Sequence, residues 1–374
     1  MNQSKKHKVL FYFGGFAPTG GIETFCKNLL SYLESQQHLC ELVCWGKSSE
    51  LLKAIEKHNI KLTYSFWRWG CKWNLPDWLL LPIGIKSLEN ADVVILGKLF
   101  PYAILRILKL KAKPDTKFIY ITPYKPLMPN SLEEKENMSK SLNIFDAILV
   151  QSNSFIQNLR ETSYRGVIEV IPYITNIKGE FQCLPPKELL QIGFLGRLVK
   201  DKNVPLLLRS FAHLKKNSSF LNDIPCKLNL FGDGHLRYQL ENLAHDLGIK
   251  DSVVFHGDIP HNQIQDAINS CHLFVFTSIN EGQCLAALEI LSCGRPLVAT
   301  DAGALPEILS DQRLGRLVNS KPEDVAMGIL EVANLIQQDM MSPKNIESAY
   351  LERYSVNTVG QKYKNVINSL LAST

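Results

Sequence analysis

The sequence predicts an α/β protein built from two doubly wound parallel-sheet domains. Short apolar runs rich in Val, Ile and Phe alternate with longer stretches of helical periodicity. That series restarts halfway along the chain, after a turn-rich segment with little periodicity. Strands alternating with helices pack as parallel sheets covered on both faces, and two such series make two domains. A length of 374 residues accommodates both.

The first half offers strands at Val9–Phe13, Leu42–Trp45, Val93–Leu96, Phe118–Ile121, Ala147–Val150 and Val167–Ile171. The second half offers Ile192–Leu195, Leu228–Phe231, Val253–Phe255, Leu273–Phe276 and Leu297–Thr300. Between the two series, Pro172–Lys187 is rich in turn residues and reads as the linker. In the tail, Tyr354, Val359, Tyr363, Val366 and Leu370 recur at helical steps and predict one amphipathic helix.

Hydrophobic residues make up 45% and charged residues 21%, as in ordinary globular proteins. No apolar run reaches the roughly 18 residues that a membrane span needs. The basic lead-in before Val9 reads as a ragged approach to a first buried strand, since no cleavage site follows. Nine scattered cysteines without a C-x-x-C pair fit reduced thiols in a cytosol and argue against a disulfide framework or a zinc site. Residues 1–180 hold 23 Lys and Arg against 16 Asp and Glu, a net +7; residues 181–374 hold 18 against 20, a net −2. A basic first half suits phosphates or an anionic membrane surface, or serves solubility alone.

The strongest chemical signal is the segment Asn280–Glu289, which follows the strand Leu273–Phe276 and opens a helix. Glu281 and Glu289 lie about 12 Å apart along a helical rise. Between them lies the helix start, whose free N–H groups and positive dipole end favour a diphosphate. A ligand with hydroxyls at both ends and a diphosphate between them fits that layout, and a nucleotide sugar is such a ligand. A pair of surface carboxylates would have the same spacing. Further motifs also stand at strand ends: Gly196-Arg197 through Lys202, Gly232-Asp233-Gly234, and Phe255–Ile259. Open α/β sheets bind ligands at the carboxyl ends of their strands, and two cations there can neutralise a diphosphate.

The order of these motifs resembles the retaining glycosyltransferase family 4, the glycosyl transferases group 1 set. Gly196, Arg197 and Lys202 match its Gly-Arg-Leu…Lys; Gly232–Gly234, Phe255–Gly257 and the Glu281/Glu289 pair match further motifs. Ser292–Ala299, then Asp301, Gly303, Pro306 and Glu307, complete the series, and Gly20–Glu23 resembles the family's first-domain glycine loop. The resemblance implies the GT-B fold: two Rossmann-like domains facing a central cleft, with a C-terminal helix crossing back to the first. The expected boundaries are 1–175 with 355–374 for an acceptor-binding domain, and 176–354 for a nucleotide-sugar-binding domain.

The resemblance also implies roles. Arg197 and Lys202 would hold the donor diphosphate and, with Glu281, form the catalytic set. Glu281 would bind hydroxyls of the donor sugar. Gly282 and the N–H groups of Gln283, Cys284 and Leu285 would meet phosphate or sugar oxygens. Glu289 would bind the ribose. Gly232 would line the donor site, and Gly257, Asp258 and Ile259 would lie against the base. Gly20 and Gly21 would let the backbone approach the reacting phosphate. Retention would follow from front-face substitution, a donor phosphate oxygen taking the acceptor proton. No cofactor is implied beyond the nucleotide-diphosphate sugar, a UDP-sugar favoured over a GDP-sugar.

Two departures stand out. The family's first-domain His is absent from Ile119–Pro126, where Thr122 or Tyr124 would take its space. After Glu281-Gly282 the usual aromatic-glycine pair is Gln283-Cys284. No Asp-x-Asp pair occurs, so no metal site is expected. Four of the five tryptophans crowd residues 67–78, interleaved with Arg68 and Lys72. Trp67 and Trp69 are expected in an acceptor or membrane-interface surface, with a buried aromatic cluster as the alternative. The expected protein is cytoplasmic, working at the inner face of the cell membrane if its acceptor is lipid-linked. Expected partners are the donor and a glycan, lipid-linked or apolar small-molecule acceptor, with peripheral membrane contact through the basic first domain and no nucleic acid. The rival readings are a non-catalytic sugar- or partner-binding homologue and a dinucleotide-dependent oxidoreductase, for which no Gly-x-Gly-x-x-Gly fingerprint is present.

Overall fold

A computed structural model of the chain describes residues 6–15, 21–45, 58–65, 85–122, 131–175, 182, 184–185, 188–216 and 224–373. The chain divides into two compact units, Met1–Asn176 with Val356–Thr374, and Ile177–Ser355. In the first unit the strands are β1 (Lys8–Gly15), β2 (Leu39–Trp45), β3 (Lys61–Ser65), β4 (Val93–Leu96), β5 (Lys117–Ile121), β6 (Ala147–Val150) and β7 (Val167–Val170). They form one parallel sheet in the order β3-β2-β1-β4-β5-β6-β7. In the second unit they are β8 (Leu190–Leu195), β9 (Cys226–Phe231), β10 (Val253–Gly257), β11 (Leu273–Phe276), β12 (Leu297–Thr300) and β13 (Gly315–Val318). Their parallel order is β10-β9-β8-β11-β12-β13.

Central strands are apolar on both faces because helices cover both. Every residue of β4, β6, β11 and β12 is buried. The two strands missed in the sequence, β3 and β13, are edge strands. An edge strand is less enclosed, so its run is short and mixed: Lys61 in β3 is largely exposed, and β13 carries Arg316 and the 43% exposed Leu317.

Strand order reverses between β1 and β4 and again between β8 and β11. Each reversal is a topological switch point, where neighbouring strand-to-helix loops part in opposite directions and leave a crevice.

The tail is two helices rather than one. Pro343–Tyr354 stays in the second unit, where Tyr354 stacks on Tyr350 at 5.9 Å. Ser355 is extended, and Val356–Ala372 belongs to the first unit. Tyr354 is therefore not on the stripe formed by Val359, Tyr363, Val366 and Leu370. The last helix lies against the helix Gly21–Ser35, and a Cβ on Gly360 would sit 2.6 Å from the Tyr32 ring, so only glycine permits that approach. The expected linker is also ordered at its start. Tyr173 stacks on Phe25 at 4.4 Å and its hydroxyl donates to the Thr122 carbonyl at 3.0 Å. The Pro172 carbonyl accepts from the Tyr363 hydroxyl at 3.1 Å, and the Ile174 carbonyl from Asn28 Nδ2 at 3.0 Å. Turn residues here mark an irregular but packed path, because side chains satisfy its backbone.

Candidate active site

The second unit's switch point brings the main sequence signals together. β8 ends at Leu195, and the chain runs through Gly196, Arg197 and a 3₁₀ turn at Lys200–Lys202 into the helix Val204–Lys216. Asn203 makes this possible by taking a left-handed conformation, φ 46°, which asparagine tolerates. β11 ends at Phe276, and Thr277–Cys284 lead into the helix Leu285–Ser292. The two loops are tied to each other. The Ile279 N–H donates to the Asp201 carbonyl at 2.8 Å, and the Thr277 hydroxyl lies 3.0 Å from the Asn203 carbonyl and 3.3 Å from that of Lys202.

The result is a direct ion pair between Lys202 Nζ and Glu281 Oε1. Ser278 Oγ donates to the same carboxylate oxygen at 2.8 Å. The Glu281 side chain is only 7% exposed and that of Lys202 19%. A charge so enclosed needs such partners, since desolvation otherwise drives it neutral. The third side of the loop is fixed from β12. Thr300 Oγ1 donates to the Ser278 carbonyl at 3.0 Å, and the Ala304 N–H to the Gly282 carbonyl at 3.0 Å. Gly303, at φ +56°, is pressed against this loop, where a Cβ would stand 2.3 Å from the Gly282 carbonyl oxygen.

Cys284 caps the helix in a left-handed conformation, φ 55°, unusual for a residue with a Cβ. The helix proper begins at Leu285, so Glu289 lies about one turn inside it, and the expected helical rise of about 12 Å from Glu281 does not apply to the non-helical stretch before Leu285. Glu289 is half-buried, and burial pushes its carboxyl up to about 7. The unfolded carboxyl ionises lower. The contribution of Glu289 to stability is thus fully present below about 4.5 and lost as pH rises through about 7. Glu289→Gln is expected to flatten the dependence of melting temperature on pH between about 5 and 8. A variant whose profile runs parallel to the wild type would contradict that.

The ends of β9 and β10 close the same region. Gly232, at φ +125°, donates its N–H to the Gly257 carbonyl at 2.8 Å, and Gly196 donates to the Phe231 carbonyl at 2.9 Å. A Cβ at Gly232 would stand 2.1 Å from the Gly196 carbonyl oxygen. Gly232→Ala is therefore expected to force the loop of Arg197 outward and to cost at least ~1–3 kcal/mol in backbone strain. Its melting temperature and its affinity for UDP should both fall; a variant that keeps both would overturn this reading. Past Gly257, Asp258 is exposed and Ile259 half-buried. Arg197 is exposed, and Gln283 is buried.

In the first unit, Thr122 is buried just past β5, its hydroxyl 3.4 Å from Gln151 Oε1. Gly21 begins the helix Gly21–Ser35. Gly20, Trp67, Trp69 and Tyr124 lie outside the described residues. Among the described residues no cluster of His, Cys, Asp and Glu is set to hold a metal ion, and no helix is long and apolar enough to cross a membrane.

Sequence reasoning misses the residues that hold the loops. Thr277, Ser278, Asn203 and Thr300 carry no spacing signal, because their partners are distant in the chain. It also gives Arg295 no role. Its side chain is fully buried and donates to the carbonyls of Cys271, Cys293, Gln182 and Asn269 at 2.9 to 3.3 Å. An arginine inside an otherwise apolar segment is the signal that could have found it.

Two parallel-sheet units, each wound about its own switch point, make this the GT-B fold of glycosyltransferases. Solved structures share it: the lipopolysaccharide outer core galactosyltransferase WaaB superposes with a TM-score of 0.73 at 19% identity, covering 97% of this chain and 99% of that one. HepE of Anabaena, solved in complex with UDP and glucose, gives 0.69 at 17% identity, covering 97% and 100%. Residues 178–346, nearly all of the second unit, match the family described as glycosyl transferases group 1. Among curated proteins, the D-inositol 3-phosphate glycosyltransferase of Paenarthrobacter aurescens is 27% identical over 187 residues, 48% of this chain and 45% of that protein. The chain spans less than half the length of the curated relatives it matches.

Proposed function

We propose that this protein is a retaining, metal-independent glycosyltransferase. It moves a hexose from a UDP-sugar, with a GDP-sugar as the alternative, to a glycan, lipid-linked or apolar acceptor. The observation that carries the reading is the enclosed Lys202–Glu281 pair at the switch point, beside the start of the helix that bears Glu289. Lys202 presents a cation, the N–H groups of Gln283, Cys284 and Leu285 present donors, and Glu281 and Glu289 present carboxyls on either side. In the donor complex, Arg197 and Lys202 neutralise the diphosphate and Glu281 orients the sugar. Glu289, able to stay protonated near neutrality, both donates to and accepts from the ribose hydroxyls. The Phe255–Ile259 segment faces the base, and Gly20 and Gly21 admit the reacting phosphate. Stabilising the leaving diphosphate and positioning the acceptor then account for the chemistry.

The reading draws support from the group 1 match, from the fold shared with HepE in its complex with UDP and glucose, and from the basic character of residues 1–180. A lipid-linked acceptor would place the protein at an anionic membrane surface. Calorimetric titration with UDP in excess chelator tests the donor site. Arg197→Ala and Lys202→Ala should each weaken UDP by about 1.5–3 kcal/mol, roughly ten- to 150-fold. Wild-type affinity in both variants, or UDP binding that requires a divalent metal, would overturn the reading.

A further inference from the structure

The helix Tyr102–Lys111 in the first unit is apolar on two faces. One face holds Ile104, Leu105 and Leu108, all buried. The opposite face leaves Tyr102 38%, Ile107 39% and Leu110 74% exposed. A solvent-facing helix stripe is ordinarily polar. Here Ala103, Ile107 and Leu110 form an exposed apolar row, flanked by exposed Arg106 and Lys111. The helix contains no carboxylate. Its other cation is tied down, since Lys109 Nζ donates to the Thr116 carbonyl at 3.0 Å and lies over the Phe118 ring. Arg106 and Lys111 have no ion pair among the described residues and remain free to meet an external anion.

We infer that this helix face docks on the surface of an anionic lipid bilayer. The occupant follows from the chemistry. An apolar row with an aromatic at one end and cations along it matches the acyl-headgroup boundary, where tyrosine and alkyl side chains enter and arginine and lysine meet phosphates. Residues 1–180 carry a net +7, so the wider field of this half also attracts such a surface. A protein partner of the same size would need a larger apolar area: ten residues make a helix about 15 Å long, well short of a standard protein interface. A short helix with two free cations gives weak, salt-sensitive and reversible binding. The inference deepens the membrane contact proposed above and rests on it, but it does not depend on donor chemistry.

Sedimentation of the full chain with vesicles tests it. The wild type should co-sediment with phosphatidylcholine vesicles containing about a third phosphatidylglycerol, bind pure phosphatidylcholine several-fold less, and be released in high salt. Ile107→Ser with Leu110→Ser, and separately Arg106→Glu with Lys111→Glu, should each lower partitioning into the anionic vesicles by roughly tenfold or more. Melting temperatures should stay near wild type, because these side chains are exposed, and Leu110→Ser alone provides a milder variant. Failure of the wild type to bind anionic vesicles would overturn the inference, and so would variants that bind as well as the wild type. Loss of a concentration-dependent dimer in the variants without loss of vesicle binding would assign the face to a second copy instead. UDP titration of the same samples keeps the two proposals apart: loss of vesicle binding with unchanged UDP affinity concerns this face alone, and vesicle binding without UDP affinity defeats only the donor reading.

Discussion

Glu281→Ala is expected to abolish sugar transfer and donor hydrolysis while leaving UDP affinity within a few-fold of wild type. The carboxylate accepts from Lys202 Nζ and Ser278 Oγ and lies before the helix start, on the side proposed for the donor sugar. UDP lacks the sugar, so it does not need the carboxylate. Deleting it frees Lys202 from its ion partner, and the freed cation can still meet the diphosphate. Breaking an enclosed pair typically costs about 3–5 kcal/mol, and the 19% exposure of Lys202 places the cost at or below the lower end. Glu281→Gln keeps the volume but lacks the charge, and should lose transfer with a smaller fall in melting temperature. Turnover and UDP calorimetry on one preparation decide the matter. If UDP affinity falls in step with turnover, Glu281 serves the diphosphate site and not the sugar.

Arg295→Met is expected to be the most destabilising single change in the second unit. The guanidinium is fully buried and donates to four backbone carbonyls, those of Cys271, Cys293, Gln182 and Asn269. Methionine fills part of the volume but leaves those acceptors without their donor. An unmet buried acceptor costs about 1–3 kcal/mol, so even partial relaxation leaves a loss of roughly 3–5 kcal/mol. For a unit of this size that corresponds to a fall of about 6–20 °C in melting temperature. Arg295→Lys should recover only part, because an ammonium cannot span four carbonyls from one planar fork. A thermal melt within about 2 °C of wild type would show that the arginine is dispensable.

Much of the fold is legible in the sequence because central parallel strands must be apolar on both faces. Val93–Leu96, Ala147–Val150, Leu273–Phe276 and Leu297–Thr300 stand out there with the bounds they have in the structure. The edge strands β3 and β13 escape because their mixed composition reflects their partial exposure. The tail reads as one helix because periodicity does not register a single extended residue at Ser355. Pro172–Thr175 reads as free linker because its hydrogen-bond partners Asn28, Thr122 and Tyr363 are far away in sequence.

The candidate site divides along the same line. Spacing along the chain already supplies the inventory: Arg197 and Lys202 after one strand, Glu281 and Glu289 around a helix start, and glycines at strand ends. Those are local choices, fixed by spacing and backbone geometry, and so can be read residue by residue. Which of these groups meet follows from the folded arrangement of the strands. It paired Lys202 with Glu281 across the switch point, half-buried Glu289 enough to lift its carboxyl to about 7, and set Thr277, Ser278 and Thr300 as the ties that hold the loops. The physical reason is that sheet order is non-local. The strands β8 and β11 are adjacent in space but separated in the chain by two other strands, and no spacing rule reaches across them.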